Sequence, residues 1–194
     1  MSNPIPQTSS GPARAGERRQ VSLLFSDMVG YTTTVERLGE ERSLAFTQML
    51  YAELTRAVLA HGGTVRSFAE DSIMAVFGIP EALEDGVPRA CRAALEIQST
   101  FKSLAPRIEA QFGQRSQMRV GISSDVAVMA QVEGAQAEAT AVGNTGNLAS
   151  RIEEIAPAGG CLICDETRAL VEWRVALNFE AEHEIRGIAR AQKL

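Results

Sequence analysis

Two acids occupy positions where a carboxylate could do chemistry. Asp27 closes the apolar run "VSLLFSD" and is followed at once by "MVGYTT", while Asp71 sits between the two apolar halves of "TVRSFAEDSIMAVFG". Short apolar runs of this kind read as buried strands, so Asp27 lies at a strand end and Asp71 in the turn of a hairpin. Neighbouring strands of one sheet would bring both to the same end. Two converging carboxylates suit a hard divalent cation, Mg2+ above all, which takes one or two carboxylates together with phosphate oxygens. Two such ions can clamp the attacking and leaving oxygens of a phosphoryl transfer. Gly30, Tyr31 and Thr32 follow Asp27 at the start of a helical pattern, where Gly permits close backbone approach and the amides of a helix N-terminus attract an anion. Taken singly, Asp27 reads as a helix N-cap and Asp71 as a turn residue. The metal chemistry needs both at once.

The opposite charge comes later in the chain. Asn147 and Arg151 are four residues apart in "GNTGNLASRIEEI" and share one face of a predicted helix. An amide and a guanidinium there could hold a ribose oxygen and a charged phosphate. The plainer alternative is a solvated face on which Arg151 balances Glu153 and Glu154.

Composition narrows the field. A chain of 194 residues with 45% hydrophobic content suits one globular domain, and a net charge of -5 argues against nucleic acid or an anionic membrane as the main partner. No apolar run approaches the roughly 20 residues of a membrane helix, and the N-terminus lacks the apolar middle of a secretory signal, so the expected location is cytoplasmic. Of the three cysteines, Cys161 and Cys164 form a C-x-x-C. With no second pair or nearby His to complete a ligand set, "GGCLICDE" reads as a short buried strand.

These residues need elements to position them. Residues 1–18, rich in Pro, Ser, Gly and Arg, read as a flexible leader, and residues 19–194 as the folded domain. "QVSLLFSD" is a strand, and "TVERLGEERSLAFTQMLYAELTRAVLAHGG" carries one helical periodicity to a Gly-Gly stop. A hairpin turns at Glu70 and Asp71. A second helix covers "ALEDGVPRACRAALEIQSTFKSLAPRIEAQFG", with Pro106 expected to kink or break it. Strands "QMRVGISS" and "VAVMAQVEG" precede a third helix from about Asn144. The strand "CLIC", a helix capped by Asp165 and the strand "RVALNFEAEHEI" complete the chain. This order predicts an α/β sandwich of ferredoxin-like type, a mostly antiparallel sheet with helices packed on one face.

Three segments, "VSLLFSDMVGYTTTVERLG", "HGGTVRSFAEDSIMAVFG" and "TAVGNTGNLASRI", in this order and spacing resemble the catalytic domain of class III nucleotidyl cyclases. The likeness runs from about Arg19 to the end of the chain. It implies cyclisation of a nucleoside triphosphate to a 3′,5′-cyclic monophosphate with loss of pyrophosphate. It also implies Mg2+ or Mn2+, two ions per site, held by Asp27, Asp71 and the Met28 carbonyl. Asn147 and Arg151 match the family's transition-state pair, and Arg186 in "EIRG" stands where a phosphate-binding Lys is usual. The resemblance further implies a head-to-tail homodimer, in which one subunit brings the metals and the other the Asn and Arg.

The base-reading positions depart from the family pattern. Adenylate cyclases usually carry a Lys four residues before the second metal Asp and an Asp or Thr seven before the Asn; guanylate cyclases carry Glu and Cys. This chain has Ser67 and Thr140, whose hydroxyls impose no purine pattern, with Arg66 and Tyr51 as candidate replacement contacts. Glu70 replaces the usual Gly, and Asn144 and Gly146 stand where Asp and Val are common. Such a domain is similar to the pyrimidine cyclases of Pycsar anti-phage systems, which make cyclic UMP or cyclic CMP for a separate effector. That reading is narrowly favoured over an adenylate cyclase making cyclic AMP. A degenerate, non-catalytic regulatory domain is the other-class alternative. A diguanylate cyclase is disfavoured, because "RSFAEDSI" lacks its GG[DE]EF-type hairpin.

Overall fold

The computed structural model describes residues 16–113, 115, 117–130, 138–139, 142–185 and 192–194. Thr140, Arg186 and most of the expected leader lie outside the described residues. The elements in chain order are β1 Arg18–Met28, α1 Tyr31–Leu38, α2 Glu40–Ala60, β2 Thr64–Ala69, β3 Ser72–Phe77, α3 Gly86–Phe112 and β4 Met118–Ala130. There follow β5 Glu138–Ala139, α4 Val142–Ile155, β6 Cys161–Ile163, α5 Asp165–Val171, β7 Glu182–His183 and β8 Gln192–Lys193.

The main sheet runs β2-β3-β1-β4-β5, with β6 added beside β4. All its pairings are antiparallel except β4 with β6. The ferredoxin-like α/β sandwich expected from element order is therefore the fold, with one change. Helices cover both faces of the sheet. On one face Leu24, Ala75, Phe77, Val120 and Ile122 pack against Phe46, Leu50 and Leu54 of α2 and Ala90, Ile97 and Phe101 of α3. On the other, Val21, Leu23, Val76, Ala127 and Met129 meet Ala149 of α4. Burial on both faces explains why β1 reads as a continuous apolar run instead of an alternating one.

Local chemistry corrects several boundaries. The single long helix expected after Asp27 is two, because Gly39 adopts φ 73° between α1 and α2, a left-handed conformation a helix interior does not allow. Pro106 neither ends nor splits α3, which continues to Phe112. "QMRVGISS" and "VAVMAQVEG" form one 13-residue strand, β4. Its full-length antiparallel pairing with β1 leaves no room for a turn between them. The cap of α5 is Cys164, whose sulfur accepts from the Thr167 amide, and Asp165 is the first helical residue. Of "RVALNFEAEHEI", only Glu182 and His183 are strand, paired with Gln192 and Lys193.

Gly121 lets α4 sit close against β4. A Cβ on Gly121 of β4 would lie 2.3 Å from the Glu153 amide nitrogen and 2.4 Å from the Ala149 carbonyl oxygen. Both are backbone atoms, so no side-chain rotation relieves the clash. Gly121→Ala should therefore force α4 outward and destabilise the fold by about 3 kcal/mol, at the upper end of overpacking costs. Urea unfolding measures this, and a loss below about 1 kcal/mol would show that α4 is free to shift.

Candidate functional site

The ladder between β1 and β4 places Asp27 opposite Arg119. Paired residues share a sheet face, and residues two apart on a strand return to it. Asp27 therefore lies on the α4 face, with Phe25 and Gly121 one repeat behind. Arg119 Nη2 donates to Asp27 Oδ2. Its Nε lies 3.4 Å from Glu153 Oε1, and its Nη1 donates to the Glu154 carbonyl at 3.2 Å. Asp27 and Glu153 are well shielded, with side chains 15% and 9% exposed.

Asp71 arrives from the β2–β3 turn. Burial, then a side-chain hydrogen bond to Asp27 and the charge of Asp27, push its carboxyl up to about 7. Two carboxyls so close resist ionising together, and Asp71 is the one whose proton is held more tightly. Glu153 is likewise pushed up to about 7, first by burial and then by Asp27, with Arg119 opposing. Among the described residues no group of three or more His, Cys, Asp or Glu could hold a metal ion. The oxygen pair of Asp27 and Asp71 is what the site offers a cation, which would relieve the repulsion between them.

Asp71 is the turn residue its plainer reading made it, whereas the plainer reading of Asp27 does not survive. The N-cap of α1 is Gly30, at φ 78° with no side-chain cap, so Asp27 is not capping. Tyr31 turns inward, stacks on Phe46 at 6.1 Å and shares a 2.6 Å hydrogen bond with Thr47, leaving its amide as the part near the site. Thr32 is exposed. Met28 buries its side chain at 1% exposure, so only its carbonyl could ligate.

Glu70 keeps the turn that a glycine would make. Its φ is 52°, a left-handed value, and Tyr51 Oη donates to its carbonyl at 2.8 Å. Tyr51 also packs on Phe68 in a tilted ring pair at 4.5 Å, so it braces the turn. The β2–β3 register slips between Val65 and Ser67, which leaves Arg66 as the bulged residue. Ser67 pairs with Met74, Met74 with Phe25, and Phe25 with Gly121, so Ser67 shares the sheet face of Asp27.

Asn147 is exposed and Arg151 half-buried on α4. Among the described residues no hydrogen bond or ion pair joins either to Asp27 or Asp71. The plainer alternative of a solvated helix face does not hold for Glu153, which is 7% exposed. Arg119 and Glu153 are the site residues that sequence reasoning missed. The signal was an Arg in a strand buried on both faces, two positions before a glycine that marks close packing. Burial pushes the Cys161 thiol of the C-x-x-C and the Cys91 thiol of α3 up to about 11, which fits inert core cysteines.

Comparison with known proteins identifies the family. The adenylate and guanylate cyclase catalytic domain matches residues 14–193. The chain belongs to this family of class III nucleotidyl cyclases. It is 30% identical over 141 residues to adenylate cyclase 1 of Rhizobium meliloti, covering 72% of this chain and 21% of that protein. It is 25% identical over 190 residues to adenylate cyclase 2 of the same organism, covering 95% and 51%. The chain thus spans from a fifth to about half of these relatives. The crystal structure of the adenylyl cyclase CyaB from P. aeruginosa superposes with a TM-score of 0.82 at 26% identity, covering 91% of this chain and 92% of that one. The guanylyl cyclase Cya2 superposes at 0.81 with 25% identity, covering 93% and 92%. Among the described residues of the cyclase domain, no helix is long and apolar enough to cross a membrane.

The raised carboxyls give the cyclase domain a signed pH response. Between about pH 4 and 7 the unfolded chain has released protons that folded Asp71 and Glu153 keep, so stability without divalent cations should fall as pH rises through this window. Asp71→Asn should flatten that fall when urea midpoints are compared from pH 5 to 7.5. A wild-type midpoint that climbs across the window, with no difference from the variant, would contradict the assignment.

Proposed function

We propose that this domain converts a nucleoside triphosphate to a 3′,5′-cyclic monophosphate and pyrophosphate, at sites completed by a second copy of the chain. The observation that carries the reading is the contact between Asp27 and Asp71, two carboxyls from different elements forced together beside the Gly30 start of α1. Mg2+ or Mn2+, two ions per site, would be held by Asp27, Asp71 and the Met28 carbonyl. Such ions supply Lewis acidity at the phosphates and activate the ribose 3′ oxygen. The amides of Gly30, Tyr31 and Thr32 face the triphosphate, and Arg186 offers a further cation to it.

Asn147 and Arg151 act on the nucleotide from the partner subunit, the amide orienting the ribose and the guanidinium countering charge on the phosphates. Among the described residues neither is hydrogen-bonded or ion-paired to the acids of its own chain, which is compatible with this division. Catalysis then rests on position and electrostatics, with no histidine needed. Ser67, with Thr140, reads the base. Two strands over and two residues along from Asp27, Ser67 stands about 12 Å away by sheet geometry, within reach of one nucleotide.

Hydroxyls in place of a base-reading Lys support a pyrimidine substrate, UTP or CTP. The product would serve anti-phage signalling through a separate cyclic-nucleotide effector, in the cytoplasm. A second reading, ATP to cyclic AMP, is favoured by the adenylate cyclases of Rhizobium meliloti among the relatives.

Offering ATP, GTP, CTP and UTP separately with Mn2+ and weighing any cyclic product decides among these. A product from UTP or CTP is expected, product from ATP alone would establish the second reading, and no product at all would mark a non-catalytic module. Asp27→Asn and Asp71→Asn should each lower pyrophosphate release about a hundredfold or more. The shared site has its own test. Asp27→Asn and Arg151→Ala chains, each inactive alone, should recover about a quarter of wild-type activity when mixed, since half the dimers then carry one intact site of two. Failure to complement would place both halves in one subunit.

A further inference from the structure

Arg119 sits between two carboxylates and satisfies them unequally. It is hydrogen-bonded to Asp27 through Nη2, while Nε and Glu153 Oε1 stand 3.4 Å apart. Both of these atoms are buried and without a hydrogen-bond partner. A buried guanidinium N–H and a buried carboxylate oxygen that stand at ion-pair distance without a hydrogen bond are costly to leave so, and a small movement would join them. What holds Arg119 short of Glu153 is its bond to Asp27. Any cation that takes Asp27 removes that hold, and like-charge repulsion pushes the guanidinium the same way.

We propose that Arg119 is an exchangeable counter-ion: it neutralises Asp27 in the metal-free protein and closes onto Glu153 when a divalent cation claims Asp27. The inference rests on the metal reading of Asp27 and Asp71 given above. It makes Glu153, which touches no substrate, a positioning residue that sets metal affinity through Arg119. The charge count supports this. Without Glu153, a cation arriving at Asp27 would leave a half-buried guanidinium with the Glu154 carbonyl as its remaining protein partner. With Glu153, every charge keeps a partner in both states. The arrangement also ties the metal half of a site to α4, the helix that carries Asn147 and Arg151.

Mn2+ binding to the full chain without nucleotide tests the exchange, read by the electron paramagnetic resonance signal of free Mn2+. Glu153→Gln should weaken binding about tenfold, a coupling of ordinary size for contacting residues. In an Arg119→Gln background the same change should have an effect below about twofold, because the relay is already cut. An equal loss in both backgrounds would mean plain long-range attraction and would overturn the exchange. So would no loss in either. A crystal structure of the wild-type chain with Mn2+ gives a readout independent of whether the variants fold. Arg119 Nε should lie within about 3 Å of Glu153, and an Arg119 still bonded to Asp27 beside the metal would sink the idea. Absence of Mn2+ uptake by the wild type would instead overturn the metal reading itself, and the inference with it.

Discussion

The pairing of β1 with β4 is the constraint on which the rest depends. Its register is unbroken from Arg18 opposite Val128 to Met28 opposite Met118. That length fixes which residues of the two central strands face α4 and which face α2 and α3. It sets Asp27 against Arg119, and it sets Gly121 under the backbone of α4. A slip of one residue would send every side chain of a strand to the other face, exchanging the charged pair for apolar neighbours. Burial on both faces makes such a slip expensive, so the site inherits its precision from the core.

Much of this was legible from the residues alone. The strand before Asp27, the hairpin around Asp71 and the helix with Asn147 and Arg151 follow from apolar periodicity and turn chemistry, and these are strong local signals. What escaped were features that depend on a partner element. Nothing within "QMRVGISSDVAVMA" announces a single long strand; only β1 lying alongside it does. Nothing near Glu153 distinguishes it from Glu154, yet one is buried and the other exposed, because α4 is pressed against Gly121. The capping of α5 shows the same limit. Asp165 is a good cap by type, but Cys164 occupies the position where the chain leaves β6, and its thiol takes the Thr167 amide.

The departures from the family pattern sort by physical consequence. Glu70 costs some backbone strain, since a side chain at φ 52° is unfavourable, but the turn it makes is the turn a glycine would make. Tyr51 offsets the strain by holding the Glu70 carbonyl. Gly146 is buried within α4, where it weakens the helix without adding bulk against the sheet. Neither change touches the approach of Asp71 to Asp27. Ser67 differs in kind, because it alters which hydrogen bonds the sheet face can offer while leaving the backbone as it was.

The bulge at Arg66 separates two neighbours that serve different purposes. Ser67 lies on the sheet face of Asp27, and Phe68 turns to the other face, meets Tyr51 and braces the hairpin. Their division of labour rests on one extra residue in an edge strand. Were that residue deleted, the strand would re-pair straight and Ser67 and Phe68 would each have to exchange faces or shift along the ladder. The surface presented beside Asp27 is therefore governed by chain length in β2 as well as by side-chain identity. For a lineage of such domains, a single codon gained or lost there is a larger step than most substitutions, because it rewrites the site and its brace together.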